Sequence, residues 1–109
     1  MAVIGIDLGT TNSLVAYWKD GKACLIPDEV GNVLFPSVVS FFDNNEVAVG
    51  GVAKEQLLLQ PERTIASFKR DMGTNKFYSI GDKKYKPLEL SAFVFQKLMI
   101  LLWLEALRN

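Results

Sequence analysis

The sequence predicts an α/β fold of the α+β kind: a mixed sheet built from short hairpins and closed by one long helix. Two observations carry this expectation. Apolar, β-branched runs alternate with the turn signals Asp20-Gly21, Asp43-Asn44-Asn45 and Gly81-Asp82 as far as Pro87. After Pro87 no such signal recurs, and an apolar stretch of helical length follows.

Residues 2–7 form an apolar run of the kind found in a sheet covered on both faces. After a loop of small residues, residues 14–18 read as a second strand, and Asp20-Gly21 turns the chain into a third at residues 22–26. The opening is thus a three-stranded meander. Residues 27–31 are a polar connection. Pro36 stands just before a strand at residues 38–42, and Asp43-Asn44-Asn45 returns it through residues 46–49. Gly50-Gly51 precedes a helix at residues 52–60, which Pro61 ends. A second short helix is predicted at residues 64–72, with Gly73 as its stop. Residues 77–80 and 83–85 flank Gly81-Asp82 as another hairpin. Pro87 then opens a helix to about Arg108, with Glu89 in its first turn as the helix dipole favours.

At 109 residues the chain is one domain or part of one, long enough to bury roughly 65% of its unfolded surface. Half of its residues are hydrophobic and 22% are charged, a globular composition. Twelve acidic residues balance twelve basic ones, so charge makes no case for a nucleic-acid surface. Lys69, Arg70, Lys76, Lys83, Lys84 and Lys86 lie close in sequence and read as a solvated face. The absence of histidine removes the usual general base, the usual metal ligand and every Ser-His or Cys-His arrangement. Cys24 is the one cysteine, so no internal disulfide forms and a reducing, cytoplasmic compartment is expected. Asp7 interrupts the first apolar run and no basic segment precedes it, unlike a signal peptide.

The densest chemistry lies in Ile4-Gly5-Ile6-Asp7-Leu8-Gly9-Thr10-Thr11-Asn12-Ser13. A strand ending in one carboxylate and followed by small, hydroxyl-bearing residues suits a phosphate and magnesium site. Gly9 lets the backbone turn tightly and approach a ligand. The amides after it can form an anion-binding concavity, with hydroxyl donors from Thr10, Thr11 and Ser13. Asp7 is the hard oxygen ligand that Mg²⁺, still carrying waters, accepts. The same residues equally describe a β-hairpin with an Asx-type turn.

The last helix departs from amphipathic expectation. Between Ala92 and Leu107 only Gln96, Lys97 and Glu105 are polar, and residues 98–104 are apolar without a break. A helix apolar on all sides is normally buried on all sides. An unbroken run this short is far from the roughly 18–20 residues of a membrane span, so no membrane is expected. Such a helix is either sandwiched between layers or buried against another copy; the second is expected here, giving a homo-oligomer, most simply a two-fold dimer, with residues from about 95 to 107 at its centre.

Five ordered segments bring in a resemblance. The opening decapeptide resembles the first phosphate loop of the seventy-kilodalton heat-shock chaperones, the DnaK-type family. Pro36-Ser37-Val38-Val39-Ser40-Phe41 is similar to that family's Pro-Ser segment, and Val49-Gly50-Gly51-Val52-Ala53-Lys54-Glu55-Gln56 to its Val-Gly-x-x-Ala-Lys-x-Gln helix start. Pro61-Glu62-Arg63-Thr64-Ile65 and Phe68-Lys69-Arg70-Asp71-Met72-Gly73 resemble its Asn-Pro-x-x-Thr and Lys-Arg-x-x-Gly segments, with Gln60 in place of the usual Asn. Within the family, residues 64–73 resemble the HscC-type branch. The resemblance runs from residue 2 to about residue 98. Beyond it, Met99-Ile100-Leu101-Leu102-Trp103-Leu104 departs from the charged, Ala-rich helix of many relatives.

The resemblance implies an actin-like or ribonuclease-H-like ATPase fold, of which this chain supplies part of lobe I. Residues 1–37 correspond to the start of its lower half with the phosphate loop. Residues 38–86 correspond to its upper half, and residues 87–109 to a C-terminal apolar helix with an atypical tail. By the same resemblance Asp7 holds the magnesium shell, Gly9, Thr10 and Thr11 cradle the phosphates of Mg-ATP or ADP, and Lys69 is the catalytic lysine. On the residues alone, Lys69 reads as a solvated helix lysine. The second lobe, with its adenine pocket and second phosphate loop, and the client-binding domain have no counterpart here, as in a truncated nucleotide-binding domain. Losing about four charge-assisted hydrogen bonds costs roughly 6–12 kcal/mol, so the chain is expected to hold no nucleotide tightly and to be inactive alone. Two alternatives stand beside this reading: a fragment of a sugar kinase of the same superfamily, which also opens on Asp-x-Gly-Thr-Thr, and a non-enzymatic module that self-associates through its last helix.

Overall fold

A computed structural model describes residues 3–108. Strands β1 (Ile4–Leu8), β2 (Asn12–Lys19) and β3 (Lys22–Leu25) form the predicted antiparallel meander. Ala2, in the first predicted strand, lies outside the described residues. β1 occupies one edge of β2, while β3 and the two-residue strand β4 (Phe35–Pro36) share the other. A second sheet pairs β5 (Val38–Phe41) with β6 (Val47–Val49) on one side and β7 (Thr64–Ala66) on the other, all antiparallel. Strands β8 (Tyr78–Ile80) and β9 (Lys83–Tyr85) make a separate hairpin.

Helix α1 (Gly51–Leu59) lies on the second sheet, with Ala53 fully buried against it. Gly50 begins this helix at a φ of 93°, and a side chain there would collide with the ring of buried Phe35. The glycine is therefore required twice, by backbone conformation and by space. Helix α2 (Pro87–Arg108) crosses both sheets. Its stripe of Leu90, Val94, Leu98 and Leu101 forms the middle of the core with Val15, Val39, Ile65 and Phe68. Each such buried side chain contributes about 1.5–3 kcal/mol. Pro87 and Glu89 sit in the first turn as predicted, and the Glu89 carboxylate accepts the Lys86 N–H at 2.9 Å. Phe41 stacks on Tyr85 at a centroid separation of 4.5 Å, and Phe93 meets Phe41 edge-on, joining β5, β9 and α2.

Two expectations are corrected. Residues 64–72 are not a helix: Thr64–Ala66 is a strand, Ser67 is left-handed at φ 56°, and Phe68–Asp71 is a single 3₁₀ turn. Thr64 and Ile65 are buried against β5, and the Thr64 hydroxyl reaches Ser40 Oγ and the Gln60 carbonyl, each at 2.8 Å. Sheet pairing and buried hydroxyl bonds outweigh the weak helical propensity of this stretch. The opening strand is likewise not covered on both faces. Among the described residues it is an edge strand, in which Gly5 and Asp7 are exposed and Ile4 retains 43% of its surface.

Candidate functional site

β1 and β2 are joined by Gly9, Thr10 and Thr11 alone, so the chain reverses within three residues. A Cβ on Gly9 would lie far inside contact distance of the Asn12 carbonyl oxygen. Glycine is thus demanded by the chain's own approach to itself. Asp7 stands one residue before the end of β1, opposite Leu14, with its side chain exposed. Thr10 is half-buried and Thr11 exposed at the loop surface.

Ser13 does not face the loop surface. It is buried, and its hydroxyl is 2.8 Å from that of Ser37, whose own hydroxyl donates to the Gly9 carbonyl at 2.9 Å. The Ser37 N–H donates to the Thr11 carbonyl at 3.0 Å. Ser13 is therefore withdrawn from the set of phosphate donors that the sequence suggests. Ser37 enters as a residue that sequence reading places only at the head of a strand. The signal was the Pro36-Ser37 pair itself: proline leaves its neighbour extended, and a serine there can reach across to an adjacent turn.

Lys69 arrives from the 3₁₀ turn of the second half of the chain. Its ammonium donates to the Leu8 carbonyl, a contact across 61 positions of sequence. Buried Phe68 anchors that turn beneath α2, and the left-handed Ser67 redirects the chain so that Phe68 points inward while Lys69 and Arg70 face out. Beyond Lys69, Asp71 accepts a 2.5 Å hydrogen bond from the Tyr78 hydroxyl and pairs with Lys76 at 3.4 Å. The Tyr78 bond holds the Asp71 carboxyl below its usual range. Burial, followed by the same bond, pushes the Tyr78 phenol up to about 12. On the other side of the loop, Lys54 of α1 lines a cleft of about 110 Å³ together with Thr10, Thr11 and Ser67. In the sequence Lys54 stands out only as part of a helix start.

Asp7, Gly9, Thr10, Thr11 and Lys69 thus occupy one end of the first sheet. Among the described residues no group of three or more His, Cys, Asp or Glu side chains could hold a metal ion. A single exposed carboxylate beside backbone amides and hydroxyls fits magnesium that is held mainly by waters and phosphate oxygens, which needs few protein ligands. Arg70 is exposed and outside this group.

Residues 3–101 match the family described as Hsp70 protein. The chain is 53% identical over 97 residues to the chaperone protein DnaK of Thermotoga neapolitana, and equally so to those of Thermotoga petrophila and Thermotoga maritima. Each alignment covers 88% of this chain and 16% of the relative. The chain therefore spans about a sixth of the length of these chaperones. With its α/β fold, its opening loop and this match across nearly its whole length, the chain belongs to the Hsp70 family.

Proposed function

We propose that this chain forms part of the ATP-binding site of an Hsp70-type chaperone, contributing the first phosphate loop and the catalytic lysine. The observation that carries the reading is the Lys69 ammonium lodged on the Leu8 carbonyl, between Asp7 and Gly9. Asp7 would hold the hydration shell of magnesium, and the Thr10 and Thr11 amides and hydroxyls would hold phosphate oxygens. Lys69 has three N–H donors and gives one to Leu8, leaving two for an attacking water and the terminal phosphate. Magnesium, when bound, would offset the phosphates' negative charge. Phosphoryl transfer depends chiefly on such positioning and charge neutralisation. The Hsp70 match favours this over the sugar-kinase alternative.

The isolated 109-residue chain, which spans 16% of the length of the DnaK relatives, is expected to hydrolyse no ATP. The test is a chimera that continues this chain with the remaining sequence of a Thermotoga DnaK. Lys69→Ala should abolish single-turnover hydrolysis there while leaving ATP binding largely intact, since its charge acts where transition-state charge develops. Asp7→Asn should instead weaken the magnesium dependence. Unchanged turnover in the Lys69 variant would return that residue to the solvated surface. The single cysteine is in keeping with a cytoplasmic setting for the chaperone.

A second reading concerns the chain as a self-associating module. Ile100, Trp103, Leu104 and Leu107 form an exposed i, i+3, i+4, i+7 stripe on α2. Beside it, Ile4, Tyr17, Met99, Leu102, Trp103 and Ala106 line an almost wholly apolar groove of about 330 Å³. A second copy of the chain would cover both.

A further inference from the structure

A loop that receives phosphate must present N–H groups to it, because carbonyl oxygens repel the same anion. Which of the two the short turn presents is decided by what holds its carbonyls. The peptide unit is planar and trans, so the Gly9 carbonyl and the Thr10 N–H point in opposite directions. Ser37 holds the Gly9 carbonyl through its hydroxyl at 2.9 Å and the Thr11 carbonyl through its N–H at 3.0 Å. Since the single Ser37 hydroxyl proton goes to Gly9, the 2.8 Å bond between the two serines must be donated by Ser13. Both serines are almost fully buried, at 1% and 3% exposure, so water does not compete for the bond between their hydroxyls.

We propose that Ser37, oriented by Ser13, is the positioning residue of the phosphate loop: it ties the Gly9 and Thr11 carbonyls inward and so keeps the Thr10 N–H facing the ligand. This rests on the phosphate reading of the loop and adds a residue that does not itself touch phosphate. Without the tie the loop would have to be ordered on binding, which weakens affinity.

The second sheet supplies a matched control. Ser40 and Thr64 form another buried hydroxyl pair at 2.8 Å, in the other sheet and with no bond to the loop. Backbone ¹⁵N order parameters of the full 109-residue chain and a Mg²⁺–tripolyphosphate titration of the chimera with the remaining Thermotoga DnaK sequence compare the unmodified protein with Ser37→Ala, Ser37→Thr and Ser40→Ala. Ser37→Ala should lower the order parameters of Gly9, Thr10 and Thr11 from about 0.85 towards about 0.6. It should also weaken tripolyphosphate binding roughly fivefold to tenfold, the effect of about one lost hydrogen bond. Ser37→Thr should restore both, and Ser40→Ala should change neither. If Ser37→Ala keeps a rigid loop and binds tripolyphosphate as the unmodified protein does, Ser37 is not a positioning residue, although the phosphate reading stands. Equal loosening of the loop by Ser40→Ala would overturn the proposal too, by showing a general loss of stability. If the unmodified chimera binds no Mg²⁺–tripolyphosphate, the phosphate reading falls and the proposal with it.

Discussion

Gly9 shows how one residue type can be dictated by geometry alone. Its backbone passes so close to the Asn12 carbonyl that any side chain must push the turn open. Gly9→Ala should cost about 1–3 kcal/mol, the usual range for forced overpacking, and should disturb the Ser37 bonds that hold the turn. Urea unfolding would measure the loss, and an unchanged midpoint would mean that the turn relaxes freely. Lys69 is the opposite case, since nothing in its local sequence separates it from a solvated lysine. What distinguishes it is a partner, the Leu8 carbonyl, that only the folded chain brings near. Ser13 reversed its role for a similar reason. A hydroxyl beside a candidate phosphate loop faces ligand or core according to strand register, and the pairing of Ser13 with both Leu8 and Phe35 turns it to the core.

Among the elements, the 3₁₀ turn at Phe68–Asp71 decides where Lys69 stands. Phe68 anchors it from within, and the Tyr78–Asp71 bond ties its far end to β8. That bond has a pH signature. The folded Tyr78 phenol is raised to about 12 from 10.0, so its contribution is fully present below pH 10 and is lost as pH rises through about 12. Tyrosinate absorbance should therefore show one tyrosine ionising near pH 12 in the folded chain, and Tyr78→Phe should remove it. An ionisation of Tyr78 at its ordinary value would mean that the turn is not held in this way. On the acid side, Glu29 is held below its ordinary 4.5 chiefly by the hydrogen bond from Lys97. Its contribution is present above pH 4.5 and is lost as pH falls below that value through the lowered folded one.

At the scale of the whole molecule, α2 gives the chain its shape. The radius of gyration is 14.7 Å, above the roughly 13 Å of a compact domain of this length, and the longest extent is 48 Å. By length and composition alone α2 is also apolar enough to cross a membrane, at a mean hydropathy of 1.7 over its most apolar window, of which 22% is buried. Its inner stripe is core in this fold. Its outer stripe remains exposed, with Trp103 at 66% and Leu107 at 67%. A dimer that covers this stripe is the expected solution state. Trp103→Glu with Leu104→Glu should give a folded monomer, whereas Leu101→Glu, aimed into the core, should unfold the chain. Sedimentation of the unmodified chain as a monomer at high micromolar concentration would contradict the dimer.

Local chemistry by itself determined much of this protein. The hairpin turns, the three-stranded opening, the proline start of α2 and the Gly9 loop depend on dihedral preference and side-chain period, which neighbouring residues settle. The family likewise followed from five short segments in order. Tertiary structure alone decided three other things. It made residues 64–66 a strand, because β5 offered paired backbone and a buried hydroxyl partner that outweighed local propensity. It left β1 at an edge, because the described chain places no element beyond it. And it assembled the site, joining Leu8 to Lys69 and Gly9 to Ser37 across 61 and 28 positions of sequence. Contacts at such separations arise from packing, and no local pattern encodes them.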